Sequence, residues 1–171
     1  MFLGKDIIGN PLITISDGRS IGNVKDIYLT PDLQFVAGIY LGTEGLFSRR
    51  SLLVKSENVV TLGKDAVLVK HDEVTQEEKD FSATEKTWLR RDDLQGRTID
   101  TPGGTKVGRV GDVIINREGK VLGFSLSQVY ISGPIADNHS VAIHTVQDVG
   151  NEDGVMTIDL EQAEQQKLNV T

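Results

Sequence analysis

The sequence has no cysteine. A disulfide framework, a thiolate nucleophile and a cysteine-ligated zinc or iron–sulfur site are therefore excluded. Aromatic residues make up 5% of the chain, and 171 residues include four prolines and six alanines. So little alanine, the best helix former, argues against a helical fold. Long apolar runs are missing as well. The longest, Phe35 to Leu41, has seven residues and contains a glycine, whereas a membrane-spanning helix needs about 20. The opening residues, MFLGKDIIGN, lack a basic stretch followed by an apolar one. No signal peptide is read, and the expected location is cytoplasmic. A position at the periphery of a membrane complex is compatible with that.

A surplus of positive charge is the last absence. Lys and Arg number 18 against 25 Asp and Glu, a formal charge of −7. Residues 1–85 hold 9 basic and 13 acidic side chains, and residues 86–171 hold 9 and 12. Neither half has the basic excess that phosphate neutralisation requires, so nucleic acid and anionic membrane surfaces are not expected partners. What is abundant is β-branched: 18 Val, 14 Ile and 13 Thr. Such side chains fit a pleated sheet better than a helix.

Comparison of the two halves reveals a repeat. Residues 17–29, DGRSIGNVKDIYL, align with residues 103–115, GGTKVGRVGDVII, matching at Gly18/Gly104, Gly22/Gly108, Val24/Val110 and Asp26/Asp112. Flanking segments agree in kind: DIIG at 6–9 with DLQG at 93–96, VAGIYL at 36–41 with VLGFSL at 121–126, SLLVK at 51–55 with SVAIH at 140–144, and AVLV at 66–69 with VMTI at 155–158. The pattern is that of an internal duplication.

Each copy divides into short strands at turn signals such as Asp17-Gly18, Pro31-Asp32, Gly103-Gly104 and Glu118-Gly119. Five or six strands without room for crossover helices pair antiparallel, and a sheet that small hides its edges by closing. The expected fold is all-β: two small antiparallel β-barrels in tandem with a short C-terminal helix. Residues 1–70 form the first copy, 71–87 an acidic, solvated connector, 88–159 the second copy, and 160–171 a helical tail. Ile27, Ile39, Val54, Val67, Val113, Phe124, Ile143 and Val155 are expected inside. Trp88, the one tryptophan, is expected between the barrels.

The order DIIG, DGRSIGNVKDIYL, VAGIYL, then a strand and a closing hairpin, resembles the PRC-barrel family. That fold is named for the cytoplasmic domain of the photosynthetic reaction centre H subunit, and it also forms the C-terminal half of the bacterial ribosome maturation factor. Gly18, Gly22, Val24 and Asp26 fit its G-x-x-x-G-x-V-x-D segment, as do Gly104, Gly108, Val110 and Asp112. The resemblance implies an assembly or docking module with no catalytic residue set.

Candidate chemistry is sparse. Asp26 and Asp112, inside apolar strands, are expected to accept backbone hydrogen bonds and pin the register rather than to act as a catalytic pair. Asp137 and His139 share a face if the chain is extended there, while His144 points the other way. Surface placement is the better reading for all three. GFSLS at 123–127 lacks the second glycine of a nucleophile elbow, and GGTK at 103–106 is a hairpin turn rather than a phosphate loop. No catalytic residue, cofactor or metal is assigned. The loop TEGLFSRRS, 43–51, differs: Leu46 and Phe47 are apolar in a loop, and Arg49 and Arg50 follow in an acidic protein. Aromatic and arginine side chains are the usual anchors of protein interfaces. Leu46, Phe47, Arg49, Arg50 and, from the divergent second-copy loop, Tyr130 are the expected partner-binding residues. The expected function is non-catalytic docking onto another protein, a photosynthetic or other multi-subunit complex included, and self-association is compatible with it. The alternative is a small-ligand or metal-binding module using the inter-barrel cleft, with Asp137 and His139 as first candidates.

Overall fold

Val-, Ile- and Leu-rich runs interrupted by turn residues form short strands throughout the computed structural model, which describes residues 1–170. Thr171, the end of the expected tail, lies outside the described residues. The first half runs β1 (Phe2–Leu3), β2 (Pro11–Thr14), β3 (Ser20–Asn23), β4 (Asp26–Leu29), β5 (Val36–Glu44), β6 (Arg50–Lys55), β7 (Val59–Leu62) and β8 (Val67–Val69). A middle stretch supplies β9 (Thr75–Glu77). The second half runs β10 (Leu89–Arg90), α1 (Arg91–Leu94), β11 (Thr98–Asp100), β12 (Lys106–Ile115), β13 (Val121–Val129), α2 (Pro134–Asn138), β14 (Ser140–Ala142), β15 (Val146–Asp148), β16 (Val155–Ile158) and α3 (Leu160–Glu164). The fold is all-β with a short helix near its end.

Both halves use one strand order. The second is continuous, β14-β13-β12-β11-β16-β15. The first splits into β6-β5-β4 and β3-β2-β8-β7, because the chain breaks between β3 and β4 where β12 runs through. In each half one pair is parallel: Leu12 faces Val67, and Ile99 faces Met156. Among the described residues no ladder joins β6 to β7 or β14 to β15; a single 3-10 turn spans each gap, Ser56–Asn58 or Ile143–Thr145. The closed hydrogen-bonded seam expected of a barrel is therefore missing from these ladders.

The leading strands are exchanged. β1, from the first half, pairs with β12 of the second, Phe2 opposite Ile115 and Leu3 opposite Ile114. β10, its counterpart, pairs with β4 of the first, Leu89 opposite Leu29 and Arg90 opposite Tyr28. The two turns 31–36 and 117–121 also clasp reciprocally. Val36 N–H donates to the Gly119 carbonyl at 2.7 Å, and Val121 N–H donates to the Gln34 carbonyl at 2.9 Å. Phe35 and Lys120, aligned residues, are paired at the centre of that clasp. The halves are thus related by a local two-fold axis.

One hydrophobic core runs through both halves, from Phe2 and Leu12 to Phe124 and Met156. Ile27, Ile39, Val54, Val67, Val113, Phe124 and Ile143 are buried as expected. Val155 is only half-buried, and Met156 and Ile158 point inward instead. The parallel pairing with β11 sets this, since side chains alternate along a strand and Met156 lies opposite buried Ile99. Residues 71–87 are not a solvated tether. They supply β9, paired with β6, and Phe81, while Val74 is buried in the core. Trp88 lies on the outer face of the first sheet beside Tyr28 and Phe81, rather than between the halves.

Phe124 is fully buried. Phe124→Ala is expected to cost about 3–5 kcal/mol, checked by urea unfolding. An unchanged midpoint contradicts the packing described.

Candidate functional site

β5 and β6 form the longest hairpin of the first half, laddered from Gly38 and Lys55 out to Glu44 and Arg50. Its tip must turn sharply at Gly45, whose φ is +103° and where a Cβ would stand 2.2 Å from the Ser48 carbonyl oxygen. Only glycine fits there. The turn throws Leu46 and Phe47 outward, 95% and 103% exposed. No other large apolar side chains among the described residues are so bare. Below them the ribbon is braced: Arg50 pairs with Glu44 at 2.7 Å and with Glu77 at 3.6 Å, and Tyr40, Thr43 and Ser51 are linked through their hydroxyls. Arg49 makes no ion pair among the described residues. The site therefore presents two apolar side chains and one uncommitted guanidinium on a stiff support.

The support is an aromatic platform. Tyr28 meets Tyr40 at 6.0 Å, Phe81 at 5.6 Å and Trp88 at 6.0 Å between ring centres. The Arg90 guanidinium lies 3.8 Å from the Tyr40 ring centre, a cation–π contact. The Tyr28 hydroxyl donates to Glu78 at 2.8 Å, and burial together with that carboxylate pushes its ionisation well above the usual tyrosine range. Lys55 pairs with Glu85, tying the cover to the hairpin.

The structure brings together Leu46, Phe47, Arg49 and Arg50 but not Tyr130. Tyr130 is half-exposed at the end of β13, its hydroxyl bonded to Gln128 and Arg109 of the second sheet. Asp137 and His139 do not share a strand face. Pro134 at the first helical position starts α2, Asp137 is exposed on it, and His139 ends it with a φ of +51°. His144 is exposed in the following 3-10 turn. Among the described residues no group of three or more His, Asp or Glu side chains is placed to hold a metal. The cleft between the halves, lined by Val36, Val59, Leu62, Arg117 and Gly119, holds only about 40 Å³. Small-molecule sites occupy about 300–1,000 Å³.

Asp26 and Asp112 accept backbone hydrogen bonds as expected, but sequence reasoning missed that these bonds cross the two-fold axis. Asp112 accepts the Lys5 N–H at 2.9 Å, and Asp26 accepts the Asp92 N–H at 3.4 Å. Each aspartate thus caps the turn that follows the other half's leading strand, and each also accepts the N–H of the next residue in its own strand at 2.8 Å. Arg91 bridges to Asp112 at 2.6 Å from a buried position. Its aligned partner is Gly4, where a Cβ would stand 2.8 Å from the arginine side chain. One arginine fits at the axis because the other half contributes a glycine.

Two outcomes follow from this brace. Asp112→Ala leaves the buried Arg91 charge with only the exposed Asp92 carboxylate, at 3.7 Å, and is expected to cost about 3–5 kcal/mol in denaturant unfolding. Asp26 behaves differently: burial, opposed by the Ile27 and Asp92 N–H groups and by Arg90, holds its carboxyl above the usual aspartate range. Its contribution to stability is complete below about pH 3.9, the ordinary aspartate value, and is lost as pH rises through the raised folded value. The stability of the wild type relative to Asp26→Asn is therefore expected to fall between acid and neutral pH. An advantage of the wild type that grows toward neutrality contradicts this.

Residues 1–76 match the family model of the PRC-barrel domain. The matched stretch, from β1 into β9, is similar to the PRC-barrel domain, a family of protein-interaction and assembly modules. A comparison with curated proteins found no match. No described helix is long and apolar enough to cross a membrane.

Proposed function

We propose that this chain is a tandem duplication of the PRC-barrel domain and serves as a non-catalytic docking or assembly module for another protein, working in the cytoplasm or at the periphery of a membrane complex. The reading rests on one observation: Leu46 and Phe47 stand fully exposed at the tip of a braced hairpin, beside an arginine that makes no ion pair among the described residues. Exposed aliphatic and aromatic surface gains about 25 cal/mol per Å² when covered, so a partner that takes up both side chains is favoured. The rigid ribbon lowers the entropic cost of association. Arg49, which pairs with no carboxylate among the described residues, is available to an acidic group on the partner, whereas Arg50 is already engaged.

The test places a photo-crosslinking residue at Ser48 and irradiates the native cell. One protein is expected to be captured repeatedly at this position and not from a probe at exposed Glu57. With that partner purified, Phe47→Ala and Arg49→Ala are each expected to weaken binding by about 1–3 kcal/mol with melting unchanged. The Arg49 effect shrinks as salt rises and the Phe47 effect persists. Crosslinks confined to lipid, or a Phe47→Ala chain that melts early and binds normally, contradict the reading.

A further inference from the structure

Each half has a second sheet face turned away from the core, and the segment that follows each half lies over it. On the first face, Tyr28, Tyr40 and Leu53 are covered by Phe81 and Trp88. That cover is fixed by ring contacts, by the β9 ladder and by the Lys55–Glu85 pair. On the second face the aligned positions are Ile114, Ser125 and Ala142, with Gly123 where the first half has Gly38. The floor is small where the first is aromatic.

What lies over it is the stretch 167–170. A Cβ on Gly123 would stand 2.5 Å from Leu168 Cδ1, so this leucine rests directly on the bare backbone. Little else holds the stretch. The last backbone donors are Gln165 and Gln166, to carbonyls in α3 at 3.2 and 3.3 Å, and among the described residues 167–170 makes no backbone hydrogen bond. Ser140, 3% exposed, lines the same groove with its hydroxyl unpartnered. The groove continues beside the stretch as a space of about 400 Å³ walled by Leu3, Ile114, Ser125 and His139.

We propose that this groove binds an extended peptide segment of a partner protein, with one aliphatic side chain between polar neighbours, and that 167–170 is its resting occupant. Lys167-Leu168-Asn169 shows the side-chain pattern the groove accepts. An incoming segment that also reaches the Ser140 hydroxyl satisfies a buried polar group that the resting occupant leaves unpaired, and so displaces it. None of these residues belongs to the hairpin tip, so the two proposals stand or fall separately.

The test uses the full chain and a fluorescent peptide with the sequence of residues 164–170, followed by anisotropy. Leu168→Asp empties the groove and is expected to bind this peptide about tenfold tighter than the wild type, whose own tail competes. A peptide with aspartate in place of leucine is expected not to bind. Equal binding of both peptides, or no binding by a Leu168→Asp chain that melts like the wild type, overturns the proposal. If Leu168→Asp melts early, the wild type decides: saturating peptide must shift the Leu168 methyl resonances to their unstructured positions, and unmoved resonances overturn it. A wild-type chain that sediments as a dimer, and as a monomer with Leu168→Asp, assigns the groove to a second copy's tail and also overturns it.

Discussion

Everything in this molecule depends on the reciprocal exchange of two short leading strands. β1 completes the sheet of the second half and β10 completes that of the first. Two residues of ladder are a weak attachment by themselves, since an isolated two-stranded pairing is marginal in water. They hold because the turn after each strand is capped by a buried aspartate of the sheet it joins, Asp112 for Lys5 and Asp26 for Asp92. The apolar side chains carried along, Phe2, Ile7 and Leu94, then enter a core that both halves share.

A strict two-fold arrangement would place two identical side chains against each other at the axis. The chain avoids this by differing there. Arg91 and Gly4 occupy aligned positions, and the arginine takes the volume the glycine leaves. The buried guanidinium keeps one aspartate paired closely, while the other relies on backbone N–H groups and on the more distant Arg90 at 3.4 Å. Two halves that share one strand order can thus settle an axis-related conflict by differing at one position. The same holds for the outer sheet faces, one sealed with aromatic rings and one with a single leucine.

Much of the fold was legible because turns and alternation are local. The glycine and aspartate turns, the aligned strands and seven of the eight named core positions could be read directly. The repeat alignment even pointed to Met156, since it sets that residue against buried Val67, although alternation alone favoured Val155. What could not be read was pairing between distant segments. Nothing in FLGKDI or LRRDDL says which sheet either joins, because a two-residue strand fits any open edge with an apolar face. The one available signal was two carboxylates inside otherwise apolar strands, which announces capped backbone donors without saying whose. The hairpin tip was legible as a loop rich in Leu, Phe and Arg. Its exposure was not, because adjacent apolar residues in a loop fold back as readily as they project, and the glycine turn at Gly45 decides between the two.

The exchange has a thermodynamic consequence that independent tandem domains do not share. Neither half can unfold without taking a strand and a capped turn from the other, so the chain must lose its structure as one unit. The direct measurement is calorimetric unfolding of the full chain followed in parallel by tryptophan fluorescence, which reports Trp88 on the first sheet, and by amide hydrogen exchange in the second. The account predicts one transition, with equal calorimetric and van't Hoff enthalpies and the same midpoint from each probe. Two transitions, or a first sheet that melts while amides of β12 and β13 remain protected, would contradict it.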